Sequence, residues 1–416
     1  MTNGDLQDQA YLGQLRLFLE ELCSDLFRFQ HVAEDGLAPE AVKISREVSM
    51  DAVGSYADMR VQARGQPPYF VEIKFGYPSD KLISHISRKY GVESSHAAEA
   101  NRLVLLIRSS DHPNWPEVET KLRSVLRPDL ELDIWDEHHL LRLMRDRFGV
   151  EVGGTTADDV LAVRQAIDDA KWRYAFGDGF ADHRLAPSLL WHFGYWTLRR
   201  LHEEQRLQPH EVLRSGLYRN VAIVMADLCS FSGYVRDTPD DQLVRHCLTT
   251  FYSQARHAVH DTGGMMYQFV GDEVVALFGF PNLTSTYTND ALDCAQALID
   301  IGNSVCNLWQ RELDRVQKSS GVHIGIAIGD LNLVLLRPFS GSHVGFIGDS
   351  LNIAARLMGR AGPSEIVVSN TLYRGLDPEV RQAFDELPPV EGKNVGLIRC
   401  WKLPLNPGEA APPAGQ

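Results

Sequence analysis

A chain of 416 residues is too long for one hydrophobic core and calls for two or three domains. Its 44% hydrophobic and 23% charged residues are ordinary for a globular protein and exclude a disordered or fibrous one. The net charge of −14 argues against broad binding to nucleic acid or anionic membrane, although a local basic patch in the N-terminal domain stays compatible with it.

The opening stretch, "MTNGDLQDQAYLGQLRLFLEELCSDLF", reads as an amphipathic helix (about 6–28) with acids throughout. It lacks the basic and apolar regions of a signal peptide. No window approaches the length of apolar chain that spans a bilayer. Six scattered cysteines (Cys23, Cys229, Cys247, Cys294, Cys306, Cys400) form no C-x-x-C pair. Reduced thiols in a cytoplasmic protein are expected, with neither disulfide scaffold nor zinc site.

Extended segments around 45–75 come next, then a polar helix near 78–100 and the strand "RLVLLIRSS" (102–110). The helix "WPEVETKLRSVL", the strand "LELDIW" and the helix "EHHLLRLMRDRF" follow. This alternation predicts an α/β domain over residues 1–150. Within it, "SYADMRVQARGQPPYFVEIKFG" carries Asp58, then Glu72 and Lys74 as E-x-K on one strand face. A plain ion pair would account for that spacing too.

The glycines and threonines of "GVEVGGTTADD" (149–159) mark a boundary. Two helical stretches, 157–175 and 186–206, make a connector over 151–217. Trp191, Phe193, Trp196 and Leu198 fall at helical spacing and suit packing or dimerisation.

Residues 218–404 read as another domain. "NVAIVMADL" (220–228) is a buried-strand pattern ending in Asp227. The helix "PDDQLVRHCLTTFYSQARHAVHDTG" follows, opened by Pro239 and closed by Gly263-Gly264. "MMYQFVGDEVVALFGF" (265–280) is a β-hairpin turning at Gly271-Asp272. A long helix (about 288–316), the strand "GVHIGIAIGD" and a loop or hairpin through "RPFSGSHVGFIG" come next. The helix "SLNIAARLMGRAG" is expected to be capped by Ser350 and ended by Gly362-Pro363. "EIVVS" and "VGLIRCWKLP" close the domain. The order β-α-β-β-α-β predicts an α+β fold, a ferredoxin-like, antiparallel-rich sheet backed by helices. The Pro/Gly/Ala-rich tail, 405–416, is expected to be disordered.

In such a sheet the first strand is central and lies beside the hairpin, so Asp227 and Asp272 can meet. Two carboxylates in a partly buried place repel unless neutralised, and a divalent cation is the usual answer. The alternative is two separately solvated groups, a helix cap and a turn residue. Gln268 is a lone amide in an otherwise apolar strand.

"VMADLCSFSGY", "YQFVGDEVVALFG" and "GFIGDSLNIAARLMG", in this order and spacing, resemble the catalytic domain of class III nucleotidyl cyclases, the adenylate and guanylate cyclase family. The resemblance implies that Asp227 and Asp272 hold two divalent ions, Mn²⁺ or Mg²⁺. It implies that the backbone around Leu228, Cys229 and Phe231 cradles phosphate oxygens. Asn352 matches the residue that orients the ribose, and Arg356 the one that stabilises charge on the α-phosphate; four apart, they share a helix face. Lys393, in "VEGKNVG", falls where the family often has a lysine for the terminal phosphates. In this family the aspartates and the Asn/Arg helix come from different subunits, which implies a head-to-tail homodimer with two shared sites.

The base-reading positions depart from the pattern. Gln268 stands where adenylate cyclases have lysine and guanylate cyclases glutamate, and Gly345 where adenylate cyclases have aspartate. Gln plus Gly cannot reproduce the donor and acceptor pattern that reads adenine. Asp330, where many purine cyclases carry a basic or small polar residue, has no role assigned from the sequence. The altered pair is similar to that of the pyrimidine cyclases of the Pycsar anti-phage systems, which implies a uridylate cyclase making cyclic UMP. A cytidylate or adenylate cyclase is the alternative. The motif of Asp58, Glu72 and Lys74 resembles the PD-(D/E)xK restriction-endonuclease-like fold. That likeness implies a sensing or regulatory N-terminal domain. It also leaves an alternative of another class, a nuclease carrying an inactive cyclase-like dimerisation module.

Overall fold

A computed structural model describes residues 15, 18–38, 41–50, 55–92, 100–149, 157–178, 183–313, 319–336, 343–392 and 396–404. Lys393, the tail 405–416 and the start of the predicted first helix lie outside the described residues. The chain divides into two units, Met1–Lys171 and Trp172–Gln416.

In the first unit, helix α1 (residues 18–29) precedes the strands β1 (Val42–Met50), β2 (Ser55–Ala63) and β3 (Tyr69–Ile73), which pair antiparallel. Helix α2 (Ser79–Tyr90) then crosses to β4 (Arg102–Leu106), and α3 (Trp115–Val125) to β5 (Glu131–Trp135). Both crossovers yield parallel pairing, so the sheet runs β1-β2-β3-β4-β5. β3 is buried at every position because apolar clusters cover both its faces. Helix α4 (Glu137–Phe148) follows, with the Asp136 side chain accepting from the His139 N–H at its start and Gly149 left-handed at its end.

Helix α5 (Ala157–Phe176) contains the division between the units, inside the stretch read as a connector. The single helix expected over 186–206 is two, α6 (Ala186–His192) and α7 (Tyr195–Gln205). Gly194 is extended between them, and the Trp196 indole occupies the space where a side chain at 194 would stand. Phe193 and Leu198 are buried, while the Trp196 indole N–H donates to the His260 carbonyl. Helix α8 (Pro209–Val212) leads into the second sheet.

That sheet begins with β6 (Gly216–Leu228), followed by the short helix α9 (Phe231–Asp237) and by α10 (Asp241–Asp261). The hairpin β7 (Met265–Val270) and β8 (Glu273–Phe278) comes next, then α11 (Tyr287–Leu313) and β9 (Val322–Leu335). β10 (Val344–Ile347), α12 (Asp349–Met358), β11 (Glu365–Ser369), α13 (Asn370–Gly375), α14 (Pro378–Arg381), β12 (Asp385–Gly392) and β13 (Gly396–Pro404) complete it. The order is β12-β13-β11-β9-β6-β8-β7, with β10 folded back on β9. The first strand is thus central and beside the hairpin, and the domain is the expected α+β sheet backed by helices.

Three details differ from expectation: α12 ends at Met358, capped by Gly359, ahead of the expected Gly362-Pro363. Ser350 is not the cap of α12: it sits in the first turn and its hydroxyl donates to the Asp330 carbonyl. β12 has no counterpart in the predicted elements because "DELPPVEG" holds two prolines. An edge strand with a register shift between Leu387 and Val390 accommodates them.

Candidate active site

The side chains of β6 alternate between two sheet faces. Ala222, Val224, Ala226 and Leu228 enter the core cluster shared with α10 and α11. Asp227 points to the opposite face, directly across from His323 on β9. On the other side Ala226 lies opposite Val274, so the turn two residues before Val274 falls beside the end of β6. Gly271 adopts a φ of 64°, which glycine takes without strain, and the Tyr252 hydroxyl of α10 donates to its carbonyl. The hairpin tip is pinned there, and the Asp227 and Asp272 carboxyls share a hydrogen bond.

Their electrostatics follow from this proximity. Burial and then the neighbouring Asp227 push the Asp272 carboxyl up to about 7. Burial works against the charge on Asp227 as well. Hydrogen bonds from His323 and Asp272 outweigh it and hold that group below its ordinary value. Glu273 is raised, first by burial and then by Asp227. The pair thus carries surplus negative charge on a surface that solvent reaches, Asp227 being 31% exposed. Both groups keep oxygen lone pairs for a cation, and this donor set fits a hard divalent ion. Among the described residues no group of three or more His, Cys, Asp or Glu has metal-binding geometry. Further ligands would come from backbone carbonyl, water and substrate oxygens.

Helix α12 lies on the same sheet face, and glycines allow its approach. A Cβ on Gly325 would stand 2.8 Å from the Met358 Cα and closer still to the backbone of Ala354 and Met358. A Cβ on Gly329 would stand 2.6 Å from that of Ser350. With α12 seated on these glycines, Asn352 and Arg356 project outward and are exposed. Arg356 donates through Nη1 to the Glu391 carbonyl at 2.9 Å, leaving the rest of its guanidinium fork available. Among the described residues, no ion pair joins Arg356 to Asp227 or Asp272.

Gln268 is exposed on edge strand β7, opposite Val275, on the face that carries Asp227. Gly345 is buried on β10, opposite Val334. Their sequence neighbours touch: the Phe346 N–H donates to the Tyr267 hydroxyl at 3.2 Å, and the two rings meet edge to face at 5.0 Å. Positions 268 and 345 thus lie on strands that are not paired in the sheet but whose neighbouring side chains, Tyr267 and Phe346, meet. Leu228 and Cys229 are buried, and the Cys229 N–H already donates to the Gly321 carbonyl at 2.9 Å. Phe231 opens α9; the Gly233 N–H already donates to the Ser230 carbonyl at 2.8 Å, which leaves the Phe231 and Ser232 N–H groups as the first-turn donors without an intrahelical acceptor.

His323 is the site residue that sequence reading missed. Its Nε2 lies 3.2 Å from Asp227 Oδ2. Only the pairing register of β6 with β9 reveals it. Asp330, unassigned from sequence, has a structural place: it accepts from the N–H of Asn220, a left-handed residue (φ 58°) at the bulge of β6.

In the first unit, Asp58, Glu72 and Lys74 do come together. Lys74 bonds Asp58 at 2.7 Å and Glu72 at 2.5 Å, and the Ile73 N–H donates to Asp58. Lys89 reaches both oxygens of Glu72, at 2.8 and 3.0 Å, and the Tyr90 hydroxyl donates to one of them. Glu72 is 0% and Lys74 1% exposed, so the carboxylates are enclosed and satisfied by ammonium and hydroxyl donors. As arranged, this donor set does not fit a divalent ion, which would have to displace Lys74 or Lys89.

No described helix is long and apolar enough to cross a membrane. Residues 213–403 match the family described as the adenylate and guanylate cyclase catalytic domain. An uncharacterised protein of Mycobacterium tuberculosis is 29% identical over 167 residues, 38% of this chain but only 26% of the relative. Among solved structures, the adenylyl cyclase CyaB from P. aeruginosa is 17% identical, covering 46% of this chain and 95% of its own, with a TM-score of 0.40. The guanylate cyclase domain of RhGC from Catenaria anguillulae, in complex with GTP, is 16% identical, covering 45% and 97%, with a TM-score of 0.37.

Proposed function

We propose that the class III cyclase catalytic domain at residues 213–403 converts UTP to 3′,5′-cyclic UMP and diphosphate, as a second messenger in bacterial anti-phage defence. The observation that carries the cyclase reading is the meeting of Asp227 and Asp272 at the end of β6, on the sheet face that also seats α12. Asp227 and Asp272 hold the divalent ions, two per site, Mn²⁺ or Mg²⁺. When bound, these supply Lewis acidity at the ribose 3′-oxygen and neutralise triphosphate charge. The ribose 3′-hydroxyl gives up its proton to solvent, its oxygen forms the bond to the α-phosphorus as the bond to the β-phosphate bridging oxygen breaks, and diphosphate leaves with that electron pair. Arg356 presents always-charged donors to the α-phosphate, and Asn352, one turn earlier, orients the ribose. Amides at the start of α9 receive phosphate oxygens, with the engaged Cys229 N–H taking no part.

Asn352 and Arg356 make no bond to the aspartates of their own chain, which supports completion of each site by a second copy in a head-to-tail homodimer. The pyrimidine assignment rests on Gln268 and Gly345. An exposed carboxamide offers both a donor and an acceptor, and glycine offers no side chain, so the adenine-reading pair is missing. Cyclic CMP from CTP and cyclic AMP from ATP are the competing products. The N-terminal unit serves as a sensing or regulatory module. Its gathered Asp58, Glu72 and Lys74 are what favour the nuclease reading, and its enclosed carboxylates weigh against it.

The test is incubation of the full chain with each of ATP, GTP, CTP and UTP plus Mn²⁺ or Mg²⁺, with separation of products. Cyclic UMP as the main product is expected. No cyclic product from any nucleotide overturns the cyclase, and product from ATP alone overturns the pyrimidine assignment. Asp227→Ala abolishes turnover while the melting temperature holds. Plasmid cleavage lost in Glu72→Ala would install the nuclease reading instead.

A further inference from the structure

His323 occupies an unusual junction. It stands opposite Asp227 in the β6–β9 ladder, with Nε2 3.2 Å from Asp227 Oδ2. The same ring makes a backbone hydrogen bond at Ala361. Ala361 lies just past the end of α12, its own N–H donating to the Met358 carbonyl at 3.0 Å. One imidazole therefore ties the carboxylate of Asp227 to the segment that ends the helix of Asn352 and Arg356.

The tie has a chemical consequence. An aspartate side chain turns about two bonds, and one at a strand end with partial exposure has several orientations open to it. A donor fixed on Oδ2 narrows those orientations and leaves Oδ1 and the remaining Oδ2 lone pair as acceptors for a cation. Outer-shell donors of this kind fix the orientation of a ligating carboxylate, and losing one typically costs about 10- to 100-fold in metal affinity or activity. The ring is itself constrained at both ends, so it transmits little freedom to the carboxylate.

We infer that His323 is a positioning residue that orients Asp227 for divalent-cation binding by anchoring it to the C-terminal end of α12. This rests on the proposed role of Asp227 and Asp272, and the experiment separates the two. Mn²⁺ binding to the full chain is followed by the electron paramagnetic resonance signal of free Mn²⁺, alongside thermal melts. His323→Ala weakens Mn²⁺ binding about 10- to 100-fold, with the melting temperature changed by no more than a few degrees. His323→Gln, whose amide can donate to Asp227 Oδ2, recovers most of the affinity. In turnover assays, the Mn²⁺ concentration for half activation rises in His323→Ala, while the nucleotide KM at saturating Mn²⁺ stays near wild type. Unchanged Mn²⁺ affinity in His323→Ala overturns the inference. So does a His323→Gln variant that is folded and yet binds no better than His323→Ala. If Asp227→Ala binds Mn²⁺ as wild type does, the metal assignment itself has failed. If Mn²⁺ binds but no nucleotide is cyclised, the cyclase reading fails while the His323 comparison still stands.

Discussion

Asp272 takes its altered acidity first from burial and then from Asp227 beside it. Its carboxyl sits near 7 in the folded chain against an ordinary 3.8, so the folded state holds a proton that the unfolded state has lost. The resulting stabilisation is fully present below the ordinary value and is lost as pH rises through the folded one, between about pH 4 and 7. In metal-free buffer the melting temperature of the wild type should therefore fall across that window relative to Asp272→Asn. Parallel curves in thermal melts would contradict this. If Gln268 and Gly345 read the base as proposed, the double substitution Gln268→Lys with Gly345→Asp should move product formation from UTP toward ATP. Gly345→Asp must also push aside the Leu336 side chain, whose Cδ2 would lie 3.1 Å from the new Cβ. A nucleotide spectrum unchanged by the pair would remove Gln268 and Gly345 from the specificity argument.

Elements depend on close approach more than on propensity. Helix α12 can lie on β9 because Gly325 and Gly329 present no side chains beneath it. Gly325→Ala would force α12 outward, an overpacking that typically costs about 1–3 kcal/mol. Denaturant melts should register that loss. Turnover should fall as well, since Asn352 and Arg356 move with the helix. A variant with wild-type stability and turnover would mean that α12 has room to spare. Gly271 acts at the other element: its left-handed backbone and the Tyr252 hydroxyl set the hairpin tip beside β6. The "GD" turn and the helix-face pairing of Asn352 with Arg356 are legible in the sequence, because turn chemistry and a four-residue spacing are local. The split of the 186–206 segment and strand β12 are not. Gly194 breaks the helix where the Trp196 indole packs over it, and the two prolines of β12 are carried in an edge strand at a register shift, so both outcomes rest on tertiary partners.

For the whole molecule, the proposed shared site turns on how the aspartate pair and the Asn352–Arg356 face are placed. The aspartate pair and the Asn352–Arg356 face lie on one side of one sheet without a direct bond between them. A homodimer with shared sites makes a quantitative prediction. Asp227→Ala and Arg356→Ala are each inactive alone. Mixed in equal amounts and re-paired, half of the dimers are hybrids with one intact site of two, which gives about a quarter of wild-type activity. No recovered activity would show that each chain works alone. The N-terminal unit contributes nothing to this calculation, and its buried cluster of Asp58, Glu72, Lys74 and Lys89 is internally neutral.

The sequence by itself determined the order of most strands and helices, strand β12 and the break at Gly194 excepted, together with the hairpin with Asp272 at its tip and Asp227 at the end of a buried strand. Each of these is written in periodicity or turn residues within a few positions. It also carried the departures at Gln268 and Gly345, which need only a motif in which to stand. Only the tertiary structure decided that the Asp227 and Asp272 carboxyls bond each other, that His323 faces Asp227, and that Lys89 and Tyr90 close over Glu72. Those contacts join residues 45, 96 and 17–18 positions apart, respectively. They depend on strand register and on which helix covers which face, and no local pattern encodes either.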